Sequence, residues 1–407
     1  MSRRAAARLV IGAVAMAFVV VNGFNALHKG GDAQVFFDGG RRLLHRAPLY
    51  ENSGPAAGFV GPPFQALFFA PFAAVYQVSE TAARLLWYAV NLACLGAGVV
   101  LWSSAWRSAL AQSGLAALPR AWSFWLALLA ILLPLQTNFE HQNMNALLLA
   151  ATGGAAWSLM NEGPGLAGAL IGFAAALKAF PVFLVIYLGA RQLWRSFAVA
   201  IITGVVLTIL PVFVYGAGGL RDALLAWARI GSGGWPVRGA NQSLIAAVDR
   251  MLASASETGV RSAAESPASV LVFLVIAAAA VLAGIWIVRA RKPRGALLPC
   301  ELAGVLTLAV LLSPVAWDHY WVLLFPAFLL VCDSSSPRLL GRAGALAFVA
   351  AAILTSGISR ATVGRVGWAA ARDLSVSTSA AVILYCALLA LWRRLSALMH
   401  ADEARQP

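Results

Sequence analysis

The sequence predicts an all-α, polytopic membrane protein of about twelve transmembrane helices, with interfacial helices in its first outer loop. Three observations predict this. Of 407 residues, 61% are hydrophobic and 11% charged, whereas a soluble domain carries about 25% charged residues. The apolar residues gather into long blocks, several of them near the ~20 residues that span a bilayer. The net charge of +14 sits in short loops between those blocks, where Lys and Arg fix topology and meet anionic headgroups. That placement makes the basic balance a membrane signature and argues against nucleic acid as a partner.

The first block, 9–27, follows Arg3-Arg4. It is long and no A-x-A sequence closes it, so it reads as an uncleaved first transmembrane helix. Next comes an amphipathic stretch from Val35-Phe36-Phe37 to Leu43-Leu44, with Arg41 and Arg42, which reads as a helix lying flat on the membrane. Block 64–78 opens with Pro62-Pro63 and contains Pro71; it suits a helix that lies in the outer interface or enters and returns. Leaving it out, the crossings are 9–27, 83–103, 122–137, 143–160, 164–178, 181–190, 196–214, 268–288, 298–313, 320–332, 341–357 and 377–393. This count puts Arg107 with Arg120, Arg191 with Arg195, the run Arg289 to Arg294, Arg338 with Arg342, and Arg393 with Arg394 on the cytoplasmic side, with both ends inside. Residues 1–395 then form one transmembrane domain and 396–407 a short cytoplasmic tail. Blocks 164–178 and 181–190 are either one helix with a buried Lys178 or two short helices whose turn carries Lys178 outward. Cys94, Cys300, Cys332 and Cys386 lie in or beside apolar blocks without C-x-x-C spacing and read as small core residues.

The polar residues that cost most to desolvate fall at one end of the crossings, each beside a different helix, which is the pattern of a built site. Asp32 stands just after the first helix. Asn138-Phe139-Glu140-His141-Gln142-Asn143-Met144-Asn145 packs six polar residues into a tight loop, against a plain reading as a water-facing turn. Lys178 sits where a snorkelling lysine is the ordinary explanation, but a phosphate partner would justify an ammonium at that depth. In Trp317-Asp318-His319-Tyr320 the aromatics fit an interface belt, while Asp318 and His319 do not. Trp235 to Ser243 offers an indole, the Arg238 guanidinium and the amides of Asn241 and Gln242, a set suited to sugars. No Walker A, G-x-S-x-G or H-E-x-x-H sequence occurs, and no room remains for a soluble nucleotide-binding domain. A sugar donor would therefore arrive through the membrane.

At these residues the chain resembles glycosyltransferase family 87, within the multi-spanning transferases of the GT-C fold. The resemblance runs through Gly31-Asp32-Ala33-Gln34-Val35-Phe36-Phe37, Pro48-Leu49-Tyr50, Gly61-Pro62-Pro63-Phe64 with Ala70-Pro71, Leu177-Lys178-Ala179-Phe180-Pro181, Asn241-Gln242-Ser243 and Ser313 to Tyr320, in order and spacing. The chain departs from the family at Gly61, where Tyr is usual, and at His141 to Asn145, where Gly-Gln-Val-Asn is frequent. The resemblance implies a polyprenyl-phosphate sugar donor, a glycolipid or glycan acceptor, inverting transfer on the outer face of the cell membrane, and neither a nucleotide cofactor nor a metal. It implies that Asp32 is the catalytic base and that His319 contacts the donor phosphate.

Chemically, Lys178, His319 and Arg238 would then meet charge on the departing phosphate. Glu140, His141, Gln142, Asn143, Asn241, Gln242, Trp317, Asp318 and Tyr320 would bind substrate. The expected sugar is a hexose or pentose, mannose ahead of arabinofuranose. The competing readings are a transporter or flippase of a lipid-linked saccharide, for which inverted repeats would be expected, and a structural scaffold, which leaves the polar set without a purpose.

Overall fold

The computed structural model describes residues 3–50, 58–114, 122–232, 235–236, 241–252, 260–261, 267–289, 295–334, 336 and 339–403. It is helical apart from a two-residue antiparallel pairing of Trp235–Pro236 with Val260–Arg261. In chain order the helices are α1 (Arg3–His28), α2 (Gly31–Leu44), α3 (Pro63–Val78), α4 (Glu80–Gln112), α5 (Ser123–Ala130), α6 (Leu132–Glu140) and α7 (Asn145–Met160). Then follow α8 (Pro164–Leu177), α9 (Val182–Ala190), α10 (Trp194–Ile209), α11 (Val212–Ser232), α12 (Leu244–Leu252), α13 (Pro267–Arg289) and α14 (Leu297–Leu312). After a 3₁₀ turn at Asp318–Leu324 come α15 (Phe325–Asp333), α16 (Gly341–Ala352), which continues as a π-turn to Gly357, α17 (Arg360–Asp373) and α18 (Val376–Glu403).

Local chemistry explains the boundaries. Pro62 and Pro63 open α3, and Pro164 opens α8, at first-turn positions where a missing N–H is harmless. Ser79 caps α4 by accepting from the Ala82 N–H, and Ser359 forms a capping box with Thr362 at the start of α17. The expected amphipathic helix is α2. It begins at Gly31, so Asp32 lies in its first turn, and its buried face (Phe36, Phe37, Gly39, Gly40, Leu43) packs on α3. Of the two readings of residues 164–190, the broken pair is the one found: Lys178 is extended (φ −151°, ψ 126°) between α8 and α9. The last helix runs on through Glu403, so residues 396–403 of the expected tail are helical.

The protein is a multi-pass membrane protein. Among the described residues, α4 and the Val376–Met399 part of α18 are unbroken helices long and apolar enough to span, and three bent pairs raise the number to as many as five. Those pairs, α5–α6, α10–α11 and α16–α17, turn by 57°, 92° and 88°. α7, α8 and α14 are shorter apolar helices. The core is aromatic, with Trp87, Trp102, Trp106, Trp321, Phe37, Phe69, Phe139, Phe325 and Phe328 fully buried. α4 and α7 approach closely at Gly98, where an added Cβ would lie 2.8 Å from the Ala150 nitrogen. Small residues at such crossings let helices meet where lipid supplies no hydrophobic drive.

Candidate functional site

Asp32 is placed by a backbone junction. The His141 carbonyl accepts the N–H groups of Asp32 (2.9 Å) and Ala33 (3.3 Å), two of the free donors at the start of α2. Gly31 makes this possible. Its φ is +51°, and a Cβ there would lie 2.8 Å from the His141 backbone. The loop after α6 is fixed in turn from α4: Trp87 Nε1 donates to the Gln142 carbonyl at 2.7 Å, and Asn91 Nδ2 to the Asn143 carbonyl at 2.6 Å. Gln142, at φ 49°, donates its buried amide to the Ala26 carbonyl.

Asn143 connects this loop to the carboxylate, donating from Nδ2 to Asp32 Oδ2 at 2.6 Å. Its Oδ1 accepts from Asn145 at 2.9 Å and lies 3.4 Å from Lys178 Nζ. Lys178 also donates to Asn145 Oδ1 at 3.1 Å and rests 3.5 Å from the centre of the Tyr320 ring. Asn145 donates to the His319 carbonyl at 3.0 Å. The His319 ring, 5% exposed, brings Nε2 to 3.6 Å from Asp32 Oδ2, and that buried nitrogen has no hydrogen-bond partner among the described residues.

A cavity of about 710 Å³ opens at this point. Of the residues singled out in the sequence, Asp32, Glu140, His141, Trp317, Asp318 and His319 line it. The others do not. Gln142, Asn143, Lys178 and Tyr320 stand behind the wall in the contacts just given. Asn241 and Gln242 are fully buried and hold backbone instead of presenting amides to a sugar. Asn241 Oδ1 accepts from the N–H groups of Ser243 and Ala316, and Gln242 Nε2 donates to the Arg372 carbonyl. They clamp the 313–317 loop to the end of α17. Arg238 lies outside the described residues. Glu140 is neutralised by Lys29.

The other wall comes from α17, which supplies Ser359, Arg360, Trp368 and Arg372. None of these was anticipated. Arg372 pairs with Asp318 at 3.3 Å and lies over the Trp368 indole. A signal for them exists. In the twelve-crossing topology the segment between blocks 341–357 and 377–393 lies outside, yet it holds Arg360, Arg365 and Arg372, against the usual inward bias of positive charge. Chemically the cavity offers the Asp32 carboxylate with His319 Nε2 at 3.6 Å and the guanidiniums of Arg360 and Arg372 in the same lining. That set can take a proton from a hydroxyl and receive an anionic leaving group.

The sequence model of glycosyltransferase family 87 matches residues 59–314. A polyprenol-phosphate-mannose-dependent alpha-(1-2)-phosphatidylinositol pentamannoside mannosyltransferase from Mycobacterium tuberculosis is 30% identical over 338 residues, covering 80% of this chain and 70% of the relative. A polyprenol-phosphate-mannose-dependent alpha-(1-2)-phosphatidylinositol mannoside mannosyltransferase from the same species is 26% identical, covering 79% and 74%. The crystal structure of ArnT from Cupriavidus metallidurans bound to undecaprenyl phosphate aligns over 97% of this chain and 78% of its own, at 16% identity and a TM-score of 0.46. Asp32, His319 and α17 all lie outside the stretch that the family model matches.

Proposed function

From the premise that the chain belongs to glycosyltransferase family 87, we propose that it moves mannose from a polyprenyl-phosphate donor to an envelope glycolipid of the phosphatidylinositol-mannoside type, on the outer face of the cell membrane. The relatives' donors and acceptors support the substrate classes. The single observation that carries the site assignment is Asp32: a carboxylate held by Asn143 beside His319, on a cavity also lined by Arg360 and Arg372.

The chemistry follows from that arrangement. An acceptor hydroxyl enters beside Asp32, which removes its proton. The hydroxyl oxygen forms a bond to the anomeric carbon as the bond from that carbon to the phosphate oxygen breaks. The electron pair leaves with the polyprenyl phosphate, and the configuration inverts. Phosphate is already a good leaving group, so fixed positive charge matters more than an acid. Reaching from base through acceptor oxygen and anomeric carbon puts the phosphate on the side of the cavity away from Asp32. Arg372, Arg360 and His319 line the same cavity as Asp32 and would supply the positive charge and hydrogen-bond donors that the departing phosphate needs. Trp317 and His141 line the space left for the sugars.

Transfer of labelled mannose from polyprenyl-phosphate mannose by membranes carrying Asp32→Asn tests the reading. Loss of about two to four orders of magnitude in rate is expected. Near-wild-type transfer removes Asp32 from the role. Movement of the donor lipid between leaflets without a new glycosidic bond, in the unmodified protein, would make the chain a flippase.

A further inference from the structure

Beside the main cavity, α17 shapes a second one of about 230 Å³, lined by Arg360, Arg365, Trp368, Ala369, Arg372 and Asp373. Three of these, Arg360, Trp368 and Arg372, also line the main cavity. We propose that this annex is a second anion subsite, which binds the phosphate of a lipid substrate while the sugar at the other end of that lipid reaches Asp32. The proposal rests on the transferase reading above and extends it to the acceptor.

Charge is the first argument. Arg372 is engaged by Asp318, but neither Arg360 nor Arg365 makes a hydrogen bond or ion pair among the described residues. Arg360 and Arg365 are exposed and, with Arg372, set three guanidiniums against the single carboxylate of Asp373 around one small cavity, and a guanidinium meets a phosphate through paired, charge-assisted hydrogen bonds.

Position is the second argument. α17 turns 88° away from the apolar helix before it. Its exposed apolar residues Val363 and Val366, with Leu374 just beyond its end, accompany the two arginines. A helix with exposed apolar and basic residues at the end of a bundle lies among headgroups, at the depth where lipid phosphates are found. Trp368 adds an indole of the kind that anchors at this level.

Size is the third. The annex accommodates a phosphate with its ester atoms, whereas the sugars need the larger cavity. A transfer between two lipid-linked molecules brings two phosphates to one centre. The donor's must depart from the anomeric carbon, in the main cavity. The second belongs to a glycolipid acceptor built on a phosphodiester.

Arg365 lines only the annex, so Arg365→Gln isolates it. The purified full-length protein in zwitterionic nanodiscs would be assayed with a phosphatidylinositol-mannoside acceptor and with an alkyl mannoside that has no phosphate. An acceptor KM raised about tenfold is expected with the phosphodiester acceptor only, with kcat and donor KM unchanged, and Arg365→Lys should recover part of the loss. A rise in donor KM instead would give the annex to the donor phosphate and overturn the acceptor assignment. Unchanged kinetics, or an equal loss with the neutral acceptor, would overturn it. Binding of dihexanoyl-phosphatidylinositol against dihexanoylglycerol separates the two layers of the argument. Selective binding that Arg365→Gln weakens, in a protein that transfers no mannose, would retain the subsite and sink the transferase reading.

Discussion

The Asp32 carboxyl group sits in a setting that keeps it usable. One oxygen accepts a short bond from Asn143, which orients it without consuming it, and the side chain remains 34% exposed towards the cavity. Lys178 reaches that carboxylate only through Asn143 and Asn145. We propose from these contacts that Lys178 positions Asp32; the donor-phosphate contact expected from its sequence neighbourhood is the alternative. Lys178→Met should lower kcat by about ten- to a hundredfold and leave the donor KM near wild type. Steady-state kinetics with the donor varied decides the matter, since a large rise in donor KM would return Lys178 to the phosphate. The residue types around Asp32, His141, Trp317 and His319 were legible in the sequence because polar groups between apolar blocks are costly. Which of them face the cavity and which prop its wall was not legible. That depends on the φ of Gly31 and Gln142 and on partners more than 100 residues away, such as Asn143 for Asp32.

Among the elements, α2 and the α8–α9 break follow from local pattern, whereas α17 does not. Its arginines fall on a helix interrupted at Gly364 (φ 71°), so no simple periodicity marks a shared face, and only the topology shows them to be misplaced for a loop. Asp38, the second of two acidic residues on α2, illustrates how the helix surface is held. Burial raises the Asp38 carboxyl, but hydrogen bonds and charge from Arg42 and Arg41 outweigh this and hold it below its ordinary 3.8. Because the folded value is depressed, the contribution is fully present above the ordinary value and is lost as pH falls through the lower, folded one. Asp38→Asn should therefore reduce thermal stability slightly at neutral pH and not at strongly acidic pH, as read by unfolding in detergent across that range. At the α4–α7 crossing, Gly98→Leu should destabilise by about 1–3 kcal/mol through overpacking, because Leu149 and Ala150 already fill the space. An unchanged melting temperature would mean that the two helices separate easily.

For the whole molecule, the long-range ties lie where composition gives no warning. Glu301 sits inside an apolar block, yet its carboxylate is the hub of a buried set. Arg191 pairs with it, both side chains being 2% exposed. Tyr187 donates to Oε2 at 2.7 Å and Trp392 to Oε1 at 2.7 Å. This joins the end of α9 to α14 and α18, elements separated by about a hundred residues of chain. Two buried charges gain little over a well-packed apolar pair, but removing one leaves the other stranded. Glu301→Ala should thus cost about 3–5 kcal/mol, with the Tyr187 hydroxyl and Trp392 indole losing their acceptor as well. The nine-residue α9 separates this hub from Lys178, a distance of about 14 Å along the axis. The lesion should therefore lower the yield and melting temperature of the purified protein while the folded fraction keeps its KM for donor and acceptor. A selective change in KM with normal stability would mean that the hub communicates with the Asp32 cavity, and that the bundle does more than hold its two ends together.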